Sequence, residues 1–173
     1  MYTQCIRHSA FASVLAAYLI PFPATAETKL TDLSGNWRGT GSDRDSPFES
    51  SQKTNCHTQI EADESHLSTL TVCKGERDLH KEIRLRLKLD GDKFTGSVNQ
   101  TSLARGDTSP DEIKGSVLGH RTKGTANLRV HLPGLLPDAT VVLVLRSTSS
   151  YTMRVTSLGV TMMDVTFSKI VKP

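Results

Sequence analysis

The side chains of this sequence that could do chemistry are two cysteines, scattered histidines, two close pairs of carboxylates and one run of basic residues. Cys56 and Cys73 have no CxxC partner, and the histidines near them do not complete a zinc set, so the pair reads as a disulfide. It would close an 18-residue loop, 56–73. On the chain-entropy argument that closure is worth about 3 kcal/mol. His57, His66, His80, His120 and His131 form neither an HxH nor an HxxxH pair and read as solvent or turn histidines. His57 follows Cys56 directly, so on a strand it points away from the sulfur. Asp43/Asp45 and Asp63/Glu64 have the pairing that glycosidic acid–base chemistry uses, yet both sit in polar stretches where solvated turn acids are ordinary. Serines are plentiful, but no Gly-x-Ser-x-Gly elbow occurs and nothing nominates a base. Asp90-Gly91-Asp92 lacks the further oxygen ligands of a calcium loop and reads as a hairpin turn. No catalytic residue, metal ligand or cofactor is implied.

The basic run is the most suggestive surface. Lys81, Arg84, Arg86 and Lys88 are placed near one face, with Lys93 across the following turn. Such a stripe suits lipopolysaccharide phosphates, an acidic glycan or an anionic protein partner. A solvated outer sheet face that deters edge pairing explains it equally, and Asp78 and Glu82 dilute its charge.

Strands must position these groups. From Glu82 to Leu89 apolar and charged residues alternate without a fault, the period of a half-buried strand. Asp90-Gly91 turns the chain, and Phe94, Gly96 and Val98 alternate on the way back. The same pattern places strands at Gly35–Ser42 around Trp37, at Ser51–Glu61 and at Leu67–Lys74. Ile113, Gly115 and Val117 continue it, followed by a turn at Gly119–Lys123. Further strands follow through Ala126–Leu132, Thr140–Arg146, Tyr151–Val155 and Met163–Phe167. About ten short strands and no helix point to an all-β chain, a single antiparallel up-and-down barrel of eight to ten strands, with a β-sandwich as runner-up. Leu103 to Asp111 is the one long polar connection, expected at a barrel mouth. Val141–Leu145 is apolar on both faces. Val142 and Val144 are therefore expected outside, under a Leu135-Leu136 loop, across a homodimer interface, or simply exposed. Met153 and Met163 read as core filling rather than as a binding lining.

The first 26 residues have the three-part anatomy of a secretory signal: Arg7 and His8, an uncharged run from Ser9 to Ile20, then Pro21–Pro23 and Ala24-Thr25-Ala26. The apolar run is shorter than the ~20 residues a membrane span needs, and Cys5 precedes it, so no membrane anchor is expected after cleavage. Residues 27–173 would form one domain of ordinary size. Removing the leader takes away one of the 21 Lys and Arg residues and none of the 18 Asp and Glu, so formal charge falls from +3 to +2. That balance gives no case for nucleic acid. The expected location is periplasmic or secreted, where disulfides form.

The segment Asp32-Leu33-Ser34-Gly35-Asn36-Trp37-Arg38-Gly39 resembles the Gly-x-Trp opening of calycin barrels, the lipocalins and avidins. The resemblance implies that Trp37 lies across a closed barrel end, beneath the core. The opening is also similar to that of small periplasmic barrels that inhibit metalloproteases, and the whole to small exported proteins of Gram-negative bacteria. The function expected is a non-catalytic binding or interaction protein of the bacterial envelope. Its partner would be a small apolar ligand in the barrel, if the interior is hollow, or an anionic glycan or protein outside it. A protease-inhibitor-like barrel and an enzyme whose site converges from separate loops are the alternatives.

Overall fold

The computed structural model describes residues 29–76, 80–103, 111–133 and 138–171. The expected leader, the 104–110 connection and the Leu135-Leu136 loop lie outside the described residues. A short 3-10 helix, η1 (Leu30–Leu33), is followed by ten strands: β1 (Gly35–Asp43), β2 (Gln52–Ala62), β3 (His66–Gly75), β4 (His80–Asp90), β5 (Lys93–Leu103), β6 (Asp111–Thr122), β7 (Thr125–His131), β8 (Ala139–Ser147), β9 (Ser150–Ser157) and β10 (Val160–Lys169). Each strand pairs antiparallel with the next, and β1 pairs with β10 to close the barrel. The up-and-down barrel expected from the alternation is the fold, at the upper end of the strand count. Closure leaves no edge to recruit another chain.

Period two sets the inside and the outside. In β2, Thr54, Cys56, Thr58 and Ile60 are buried while the residues between them are exposed. Cys56 stands directly opposite Cys73 across β2 and β3, and the two form the expected disulfide, with both sulfurs in the core. Asp90-Gly91-Asp92-Lys93 is the expected tight hairpin, with Gly91 at φ 61°. In β8, Val142 and Val144 do face outward, half-buried, since Val141, Leu143 and Leu145 pair with the inner residues of β9.

Two elements differ from the sequence reading. The turn expected at Gly119–Lys123 is strand as far as Thr122, and only Lys123-Gly124 turns. Gly119 is there for room: a Cβ at this position would lie 2.3 Å from the Asn127 carbonyl oxygen. The second difference is η1, which the strand pattern does not show. It is tied down by reciprocal hydrogen bonds of Ser34 with Ala62, whose N–H donates to Ser34 Oγ (3.0 Å) while that hydroxyl donates to the Ala62 carbonyl (3.0 Å).

The barrel interior divides along its axis. Near the start of β1, Trp37 is fully buried and its Nε1–H donates to the Leu33 carbonyl (2.8 Å). Tyr151 meets Trp37 edge-on at 4.9 Å and stacks on Phe167 at 4.6 Å. Phe167 fits because Gly39 faces it: a Cβ there would come within 2.6 Å of the ring. Lys169 lies over Trp37 (5.3 Å to the ring centroid) and donates to the Asp32 carbonyl (2.8 Å), so one cation joins β10 to the helix and the aromatic core. At the other end of β1, Asp43 is 1% exposed and Lys81 7%. Lys81 Nζ donates to both Asp43 oxygens, at 3.0 and 2.9 Å, and lies 3.4 Å from Asp45.

Candidate functional site

That ion pair revises two readings of the sequence. Lys81 does not belong to an outer basic stripe. It shares the inward parity of Ile83, Leu85, Leu87 and Leu89, and a charge there survives because the buried Asp43 neutralises it, with Asp45 3.4 Å away. Asp43 is not a solvated turn acid, since it ends β1 inside the barrel. Burial pushes its carboxyl above the usual range, opposed by the charge and hydrogen bonds of Lys81. The other pair is as expected: Asp63 and Glu64 are exposed in the β2–β3 turn. The Asp63 carboxylate accepts the Ser65 and His66 amides at 2.7 Å each, which holds its pKa below the usual range.

The rest of the stripe is where the alternation places it. Arg84, Arg86 and Lys88 point outward on β4 and Lys93 outward on β5. Arg84 is engaged by Glu82 (2.7 Å). Arg86, Lys88 and Lys93 form no ion pair among the described residues. His57, His66, His120 and His131 are exposed and His80 is half-buried. His131 is held by Asp138 at 2.7 Å.

The concave site is inside the barrel, beside η1. A cavity of about 110 Å³ lies there. Aliphatic and aromatic side chains line it from two sides of the barrel: Leu85 and Leu87 from β4 and Phe94 from β5 on one, Leu143 and Leu145 from β8 and Met153 from β9 on the other. Beside β4, the strands β2 and β3 contribute the small Thr58, Thr69 and Thr71 together with Ile60 and Leu67, and Ala126 of β7 stands across the barrel from them. Leu30 and Leu33 of η1 form a partial roof. The helix packs on the β2 side of this end, and the β6–β7 turn with Gly124 and Thr125 stands opposite, so the cavity opens between them.

Its polar atoms are mostly satisfied within the wall. The Thr58 and Thr71 hydroxyls share a 3.0 Å hydrogen bond, and the Tyr151 hydroxyl bonds to Thr58. Burial drives the Tyr151 phenol pKa upward against that bond, so it stays neutral. What the cavity presents is therefore hydrocarbon. Two cations stand at the mouth. Arg121 lies on the inner face of β6, opposite Ala126, and Lys29 is exposed at the N-cap of η1.

The sequence matches no protein-family model, and no curated protein is similar to it. The chemistry of this site has to be read from its own atoms.

Trp37 is buried as the resemblance implies, but the barrel end beside it is only half roofed, and the cavity reaches that end. Sequence reasoning missed Arg121, Lys29 and the two helix leucines, and it assigned Met153 to core filling. A signal for Arg121 existed. It is two residues from Gly119 and four from Val117, so it has the parity of the interior. Leu30 and Leu33 carry the i, i+3 spacing of one helical turn.

Proposed function

We propose that this chain is a non-catalytic binding protein that holds a small apolar ligand inside its barrel, in an oxidising envelope or extracellular compartment. The observation that carries this reading is the open, hydrocarbon-lined cavity beside η1. A barrel of this size can be filled by its own side chains or can hold one small ligand. Here one half is filled, by Trp37, Phe167, Val165, Val117 and the disulfide, all essentially without exposure. In the other half, Thr58, Thr69, Thr71 and Ala126 are small, and space remains between them and the leucines that line the cavity. A barrel needing only stability would gain by placing larger side chains there, since unfilled space forfeits dispersion contacts.

Size limits the ligand. A dry engineered cavity of about 150 Å³ takes up benzene, so about 110 Å³ admits one ring or a chain of about six carbons. A sterol or retinoid is too large. Burying about six methylenes contributes roughly 5 kcal/mol, and lost translational and rotational freedom offsets about 4 kcal/mol or more of it. Apolar contact alone thus gives weak binding, and a useful affinity requires a polar anchor.

The location draws on the disulfide and on the leader, and the ligand-binding role agrees with what a calycin-like opening implies. Native mass spectrometry of the exported protein should show a mass increment from a retained small molecule. Ala126→Phe, which fills the cavity from β7, should lose the increment while keeping the strand signature of its circular dichroism. An increment unchanged in Ala126→Phe, or none after incubation with short-chain amphiphiles, would count against the proposal.

A further inference from the structure

We infer that the ligand carries an anionic head, bound at the cavity mouth by Arg121 with Lys29 opposite. This rests on the ligand-binding reading above and adds the chemical class. Arg121 is half-buried, faces inward and lines the cavity, yet its guanidinium has no ion pair and no hydrogen bond among the described residues. A cation turned toward hydrocarbon is unfavourable without a counter-charge. The acids nearby do not supply one. Asp92 accepts the Arg121 backbone amide through its carbonyl (2.7 Å), but its carboxylate makes no ion pair among the described residues. Asp32 is engaged with η1: its carboxylate accepts the Lys29 amide (2.9 Å) and its carbonyl accepts Lys169 Nζ.

The mouth therefore has positive charge on both sides, from β6 and from η1, above a hydrocarbon floor. A planar guanidinium matches the two oxygens of a carboxylate or phosphate in a bidentate pair, and an ammonium adds a point charge. The complementary molecule is a short single-chain or single-ring amphiphile with a carboxylate or phosphate head. An alcohol of the same chain has no charge for the fork, and an amine is repelled.

The test is isothermal titration of the protein with four eight-carbon probes, long enough to fill the cavity with about six carbons and leave the head at its mouth: octanoate, octyl phosphate, 1-octanol and octylamine. Octanoate or octyl phosphate should bind about tenfold or more tighter than 1-octanol, the margin of a charge-assisted hydrogen bond; whichever anion binds more tightly identifies the head. Octylamine should bind more weakly than 1-octanol. Arg121→Gln should bring the anion down to the level of 1-octanol and leave 1-octanol unchanged, and Arg121→Lys should fall between. Equal binding of anion and alcohol, or an anion unaffected by Arg121→Gln, overturns the headgroup inference while the cavity reading stands. If no probe binds a protein that is folded by circular dichroism, both fall.

Discussion

Among the described residues, Asp43 and Lys81 are the ion pair taken almost wholly out of water. Removing one partner of such a pair leaves an uncompensated charge inside, which costs about 3–5 kcal/mol. Asp43→Asn is expected to lower stability by that order in urea unfolding. Asp43→Leu combined with Lys81→Met should recover most of the loss, since apolar replacement of a whole buried pair is often neutral. A double variant as unstable as the single one would show that the pair does more than neutralise itself. The position of Lys81 was legible by parity, for it is an even number of residues from Ile83, Leu85 and Leu87. Its chemistry pointed the other way, toward Arg84 and Arg86. Position outranked residue type, and only the arrival of Asp43 from β1, 38 residues away, makes that possible. Pattern along one strand carries no information about a partner on another. The same holds at Arg121, whose parity is plain and whose meaning depends on a cavity built from seven other strands.

Most strands were legible because they alternate with a two-residue period, β8 being apolar on both faces. The β4–β5 turn was legible because Asp90-Gly91 announces it, whereas the β6–β7 turn was expected upstream of Lys123-Gly124. η1 was not legible, since four residues of 3-10 helix have too short a pattern to stand out from a loop. The β9–β10 turn holds a local conflict. Leu158 adopts φ 52° and Gly159 φ 74°, the pair of left-handed conformations a two-residue hairpin requires. Glycine reaches that region freely, whereas leucine does so at a cost of about 1–2 kcal/mol. Leu158 is also 63% exposed, so little packing compensates. Leu158→Asn, which tolerates the left-handed region, should raise stability by about 0.5–1 kcal/mol in thermal or urea unfolding. A fall in stability would mean that the leucine makes a contact this account lacks.

Over the whole molecule, closure does two things at once. It removes every sheet edge, and it encloses an interior whose two halves are filled differently. Around Trp37 and Phe167, large side chains meet glycine; beside η1, leucines meet threonines and an alanine. Whether a barrel is hollow is decided by volumes summed across ten strands, and residues that face one another there are as far apart in the chain as Ala126 and Thr58. Hollow or solid was therefore open from the sequence, even though the fold class was not. The disulfide belongs to this scale too: it cross-links β2 and β3 covalently, while the β6–β8 side of the cavity is held by the backbone ladder and side-chain packing.

The claim on which the functional reading depends is that small molecules enter this space. The most direct measurement is methyl NMR of the protein titrated with octanoate. Saturable shifts are expected at the methyls of Leu87, Leu143, Leu145 and Met153, with Val117 and Val165 in the filled half unmoved. Shifts confined to surface methyls, or none at millimolar octanoate, would contradict it.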